Sequence, residues 1–103
     1  MVKAYFSYDV AVEKQVEYLK FVAEELEPFF RSRGTRIYGV YQNANPENST
    51  SFMAEMIFDD LPSMQKTMGM HGKDPEYNAM VQRFFNFVTE AGVKPIGRFV
   101  QKI

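Results

Sequence analysis

The chain has 103 residues, a formal net charge of −1 and 46% hydrophobic residues. This length predicts a single domain over residues 1–103, and the near-neutral charge gives no electrostatic case for binding nucleic acid or an anionic membrane. The chain has no cysteine, which excludes disulfides and thiol chemistry and agrees with a cytoplasmic protein. The N-terminal MVKAYFSYDV alternates without a long apolar core, so no signal peptide is predicted, and no apolar run is long enough to span a membrane.

The first predicted elements are a strand and a long helix. Alternation over Val2–Tyr8 predicts strand one, with Lys3, Tyr5 and Ser7 on one face. The spacing of apolar residues then predicts a helix from about Ala11 to Ser32. Its apolar stripe is assigned to these residues: Val12, Val16, Leu19, Val22 or Ala23, Leu26, and Phe29 or Phe30. Pro28 predicts a kink or a break, and Gly34 is a suitable residue to end the helix.

Two further strands form a predicted hairpin. Strand two covers Thr35–Asn43, and strand three covers Ser51–Asp59. The connecting NANPENSTS is rich in turn-forming residues. In strand three, Phe52, Ala54, Met56 and Phe58 form an apolar set that is placed against the helices.

The last third of the chain contains two predicted helices and a strand. Asp59 or Asp60 caps a short helix, and Asp74-Pro75-Glu76 begins another that runs to about Ala91. Strand four covers Pro95–Ile103. The order strand, helix, strand, strand, helix, strand predicts an α+β, ferredoxin-like βαββαβ fold: a four-stranded antiparallel sheet with its helices on one face.

The uncovered sheet face predicts a homodimer. It would carry Tyr5, Ser7, Met53, Glu55 and Ile57, and a large exposed face of this kind usually marks an interface. Symmetric pairing of two such faces would bury the apolar residues and leave a cavity lined by the polar ones.

With this architecture, the chain resembles the dimeric α/β-barrel superfamily over nearly its full length. The resemblance rests on FDDLPSMQ and KDPEYNAMVQRF, and in particular on Asp60-Leu61 and Asp74-Pro75-Glu76. It implies that two sheets pair face to face into a barrel. It also implies relatives that include cofactor-independent monooxygenases, haem-degrading enzymes, isomerases and proteins without known activity. This chain has no Trp, and Met80 stands where haem-degrading relatives carry their ligand, so haem degradation is not predicted.

Two residues are candidates for proton transfer. Glu55 lies in the middle of strand three on the face assigned to the cavity, and a buried carboxylate suits this chemistry. The alternative is an ion pair with Arg36, Arg98 or the partner chain. His71 is the only histidine; it is either a base or a loop residue that caps a helix end.

Four residues are candidates for substrate binding: Tyr5, Ser7, Tyr38 and Arg98. Only one of Tyr38 and Tyr41 can face the cavity, because they are three residues apart on a strand. Packing in the core or interface is the alternative for each tyrosine. With no glycine-rich loop, a single His and no Cys, neither a cofactor nor a metal is predicted.

The sequence contains no demonstrable catalytic motif. It therefore favours a dimeric protein that binds a small hydrophobic molecule. One alternative is a cofactor-independent monooxygenase or isomerase acting on a small hydrophobic or aromatic substrate. The other is a ligand-sensing regulatory domain.

Overall fold

The structure, a computed structural model, describes residues 1–45, 47, 49–69, 73–96 and 100–101. Its elements are β1 (Val2–Asp9), a 3-10 turn (Val12–Lys14), α1 (Gln15–Phe21), a π-helical turn (Val22–Leu26), α2 (Glu27–Ser32), β2 (Ile37–Gln42), β3 (Ser51–Phe58), α3 (Leu61–Met68), α4 (Pro75–Phe85), β4 (Lys94–Pro95) and β5 (Val100–Gln101).

The strands form one antiparallel sheet in the order β2-β3-β1-β4, and β5 also pairs with β1. The two central strands, β1 and β3, are paired over their whole length from Val2 with Phe58 to Asp9 with Ser51. The helices cover one side of this sheet, so the α+β ferredoxin-like fold is confirmed. The predicted fourth strand consists of β4 and β5, and residues 97–99 and 102–103 lie outside the described residues.

Residues 12–32 remain helical past Pro28, so a break there is not found. The chain instead widens into the π-helical turn just before the proline, where the Glu27 amide donates to the Val22 carbonyl. Gly34 follows with a positive φ of 97°, as expected of a residue that ends a helix.

The apolar stripe predicted for the first half of this helical segment is wrong. Val12, Val16 and Leu19 are 63%, 83% and 46% exposed. The buried side chains are instead Phe21 and four residues that recur every fourth position: Tyr18, Val22, Leu26 and Phe30. The π-helical turn has more residues per turn than an α-helix, and it keeps these four residues on the sheet side.

Asp60 and Asp74 begin the two later helices, as the sequence predicts. The Asp60 carboxylate accepts from the Ser63 amide at 2.8 Å, and Asp74 accepts from the amides of Glu76 and Tyr77. The hydrogen bonds from Ser63 lower the pKa of Asp60. However, α4 ends at Phe85 rather than near Ala91, because the chain then turns to form a bridge between Val88 and Val10.

Candidate functional site

The two faces of the sheet have different surroundings because successive residues of a strand point to opposite sides. On the helix side, Tyr8 and Phe52 are buried and their rings stack at 6.1 Å between centroids. Their sequence neighbours Ser7 and Met53 lie on the other side, which no helix of the described residues covers. We call these two surfaces the helix-side face and the open face.

A partly enclosed cavity of about 150 Å³ lies between the helix-side face and the helices. Each described residue that lines it is apolar or a tyrosine, and none of these is charged. The lining residues are Phe6, Tyr8, Leu26, Phe30, Tyr38, Ala54, Met56, Met68, Tyr77, Val81, Phe84, Phe85 and Val93. We call this cavity the apolar pocket. Its chemistry suits a hydrophobic molecule, because an ion would lose its hydration there without compensation.

The polar atoms at the apolar pocket come from tyrosines. Tyr8 and Tyr18 share a hydrogen bond between their hydroxyls at 2.5 Å, and each ring packs on Phe84 or Phe52. Burial raises the pKa of Tyr8 to about 12 and raises that of Tyr18 further. Both hydroxyls therefore stay protonated near neutral pH and cannot act as bases there.

Tyr38 lines the same pocket from β2. Its side chain is only 4% exposed, and its ring stacks on Phe30 with 4.8 Å between centroids and 5° between planes. Burial raises its pKa well above the ordinary value. The Tyr38 hydroxyl is thus a neutral group held in a fixed place.

On the open face, Glu55 lies among tyrosines, and of the alternative ion-pair partners Arg36 is not used. The Tyr41 hydroxyl donates to a Glu55 carboxylate oxygen at 3.3 Å, and the hydrogen bond to Glu55 raises the pKa of Tyr5. Gly39 pairs with Glu55 across β2 and β3, and a Cβ atom at Gly39 would meet the Tyr41 ring at 3.3 Å. The glycine therefore leaves room for the tyrosine to lie over the strand. Arg36 pairs with Asp59 at 3.2 Å.

The structure brings together only part of the predicted site. Tyr5, Ser7 and Glu55 share the open face, and the Ser7 hydroxyl lies 3.5 Å from the Lys94 carbonyl oxygen. Tyr38 lies on the helix-side face, so it cannot share a cavity with Glu55; Tyr41 takes the open-face position instead. His71 and Arg98 lie outside the described residues.

Sequence reasoning missed the apolar pocket itself. Met68, Val81 and Phe84 belong to the two helices predicted after strand three, and neither their residue types nor their spacing distinguishes a pocket wall from a filled core. Among the described residues, no group of three or more His, Cys, Asp or Glu side chains could hold a metal ion. No helix in the described part of the chain is long and apolar enough to cross a membrane.

Comparison with known structures identifies the architecture. An uncharacterized NIPSNAP domain protein from Burkholderia xenovorans superposes with a TM-score of 0.75 at 16% identity, covering 100% of this chain and 95% of that one. The two chains share the ferredoxin-like α+β fold. A conserved protein from Methanosarcina mazei matches with a TM-score of 0.72 at 16% identity, over 99% of this chain and 92% of that one.

An antibiotic biosynthesis monooxygenase also has this fold, with a TM-score of 0.67 at 10% identity over 100% of this chain and 99% of that one. No protein-family model matches the sequence, and no curated protein matches it. At these identities the comparisons establish the fold alone.

Proposed function

We propose that this protein binds a small hydrophobic molecule, about the size of one aromatic ring, in the apolar pocket. The observation that carries this proposal is the cavity of about 150 Å³, whose lining contains no charged side chain among the described residues. An apolar cavity of this size is known to accept benzene. Binding would bury the ligand against Tyr38, Met56 and Val81, and the hydrophobic effect would supply most of the affinity.

The proposal is tested by filling the pocket. Val81→Phe places a ring where the ligand would lie, and Val16→Phe makes the same change at a helix position that is 83% exposed and outside the pocket lining. Toluene binding, followed by NMR chemical shifts, should weaken at least about 10-fold in Val81→Phe and stay unchanged in Val16→Phe. Equal binding by both variants, or none by the original chain, would reject the pocket as the binding site.

The same proposal includes a homodimer that forms through the open face. Tyr41 and Ile96 are 53% and 40% exposed there, beside the partly buried Met53. Pairing two copies through this face would bury these side chains and enclose Glu55. The fold shared with the dimeric α/β-barrel proteins supports this arrangement.

Native mass spectrometry tests the dimer. The original chain and Val16→Glu should have twice the mass of one chain, whereas Met53→Glu, which places a second charge beside Glu55, should be a monomer. A monomeric original chain, or a dimer that survives Met53→Glu but not Val16→Glu, would show that the open face is not the interface.

A second candidate function is cofactor-independent oxygenation or isomerisation, with Glu55 as the base and His71 as an alternative. The observation that favours it is the grouping of Glu55 with Tyr5 and Tyr41 on the face that the dimer would enclose. The fold shared with an antibiotic biosynthesis monooxygenase adds support. The substrate would then lie on the open face, across the sheet from the apolar pocket.

Turnover of a carbon acid such as a 1,3-diketone, followed by oxygen uptake and by isomerised product, tests this second candidate. Glu55→Gln should abolish turnover if Glu55 is the base, and His71→Ala should do so if His71 is. Full turnover in both variants would remove these two residues from the reaction. The matched change Glu24→Gln, on the exposed side of the first helical segment, controls for loss of a carboxylate.

A further inference from the structure

Unlike the hydroxyls of Tyr8 and Tyr18, the hydroxyl of Tyr38 has no hydrogen-bond partner among the described residues. Tyr8 and Tyr18 satisfy each other through their 2.5 Å hydrogen bond. Tyr38 makes no hydrogen bond to any other described residue, although its side chain is 96% removed from solvent, being 4% exposed. Thr35 Oγ1 is the only fully buried side-chain oxygen without a partner among the described residues, so the Tyr38 oxygen is not sealed from the cavity that its side chain lines.

The position of this hydroxyl is fixed before any ligand arrives. The Tyr38 ring is stacked on Phe30 with planes 5° apart, and the residue pairs with Met56 in the middle of the sheet. A hydroxyl held in this way loses little conformational entropy when it forms a hydrogen bond, so it can discriminate between ligands of equal shape. The other described residues of the pocket wall are apolar apart from the hydroxyls of Tyr8 and Tyr77.

We propose that Tyr38 is the residue that determines specificity in the apolar pocket, and that the ligand is a neutral single-ring molecule carrying one hydrogen-bonding oxygen, such as an aryl ketone. This inference rests on the proposed function and specifies its ligand class. The phenol donates its hydrogen to the ligand oxygen. Because none of the described residues that line the pocket is charged, an ionised ligand such as a benzoate would find no charge among them to compensate for its lost hydration.

Acetophenone and ethylbenzene are probes of nearly equal shape that differ in the ketone oxygen. Tyr38→Phe removes only the hydroxyl, and Tyr41→Phe makes the same change on the open face. Tyr38→Phe should weaken acetophenone binding by roughly 2- to 10-fold, the range expected for one net hydrogen bond. It should leave ethylbenzene binding unchanged or tighter, and Tyr41→Phe should change neither affinity.

The outcomes separate this inference from the proposed function. Ethylbenzene binding to the original chain would keep the pocket as the binding site. If Tyr38→Phe then changes the affinities of both probes equally, or changes neither, Tyr38 has no role in recognising the oxygen. If neither probe binds the original chain, both proposals fail. If Tyr38→Phe does not fold, the infrared carbonyl stretch of acetophenone bound to the original chain tests whether the hydrogen bond forms. A shift to lower frequency than in an alkane supports the hydrogen bond, and an unshifted band overturns it.

Discussion

The two faces of one sheet have opposite characters although they are built from alternate residues of the same strands. On the helix-side face, Phe52 and Met56 are buried, and Met56 lines the apolar pocket. On the open face, Met53 and Glu55 of the same strand are only partly buried, and Glu55 forms hydrogen bonds with tyrosines. The sheet therefore separates a hydrophobic binding space from a polar cluster.

This separation limits what one ligand can contact. Glu55 and Met56 are adjacent in sequence, but their side chains point to opposite sides of β3. A molecule in the apolar pocket can meet Tyr38 but not Glu55. The proposed binding function and the alternative catalytic function consequently use different sides of the sheet, and substitutions can test them one at a time.

The largest difference in stability between substitutions on the two faces is expected for Phe52→Ala compared with Met53→Ala. Phe52 is 2% exposed and packs on Tyr8 and Tyr18, so its removal should lower the free energy of unfolding by about 3–5 kcal/mol. Met53 is partly buried, and its removal should cost about 1 kcal/mol or less. Urea unfolding at one fixed protein concentration measures both, and similar losses would contradict the contrast between the faces.

Alkaline pH should destabilise the fold by ionising the tyrosines that are buried on the helix side of the sheet. Burial raises the pKa of Tyr8 from 10.0 to about 12, and raises those of Tyr18 and Tyr38 as well. As pH rises, these phenols lose their protons in the unfolded state before they do so in the folded state. The free energy of unfolding is therefore undiminished below pH 10 and falls as pH rises from about 10 through 12. Urea unfolding at successive pH values measures this loss. Stability that is constant over that interval would show that these phenols are not buried.

Removing one tyrosine hydroxyl should lower the free energy of unfolding clearly on the helix-side face and hardly at all on the open face. Tyr18→Phe deletes a partner of the buried 2.5 Å bond to Tyr8 and should cost about 1–2 kcal/mol. Tyr41→Phe deletes an exposed bond of 3.3 Å and should change the free energy of unfolding by less than about 0.5 kcal/mol. Thermal unfolding compares the two variants. The comparison is made in the Met53→Glu background, which is expected to be monomeric, because a dimer through the open face would bury Tyr41 and raise its cost. An equal cost in that background would contradict the contrast between the faces.

The smallest effect is expected from Glu55→Gln on the ionisation of Tyr5. The hydrogen bond to Glu55 is the main reason that the pKa of Tyr5 is raised. Replacing the carboxylate should bring the pKa of Tyr5 closer to its ordinary value and leave Tyr8 unaffected, because Tyr8 is shifted by burial. NMR titration of labelled tyrosines distinguishes the two, and an unchanged Tyr5 would show that Glu55 does not contact it.

Local signals predicted most of the fold. Alternation located β1 and β3, and the caps Asp60 and Asp74 located the helix starts, because these features act over a few residues. The core side of the first helix could not be predicted in the same way. Tyr18 is buried where Val16 is exposed, and its ring packs on Phe52 while its hydroxyl bonds to Tyr8. The π-helical turn also changes the period of the helix.

The site was less predictable than the fold. The pattern of β2 left open which of Tyr38 and Tyr41 faces the helices, since strand alternation gives two sets without saying which is buried. The structure resolves this through the stacking of Tyr38 on Phe30, a contact between residues of two elements. The apolar pocket depends on how such elements fit together, and composition does not reveal unfilled space.

The most direct test of the binding site uses methionine methyl groups as reporters of the two faces. Met56 and Met68 line the apolar pocket, whereas Met53 lies on the open face. With methyl-labelled methionine and added toluene, we expect intermolecular NOEs to Met56 and Met68 and none to Met53. NOEs to Met53 alone would place the ligand on the open face and contradict the account.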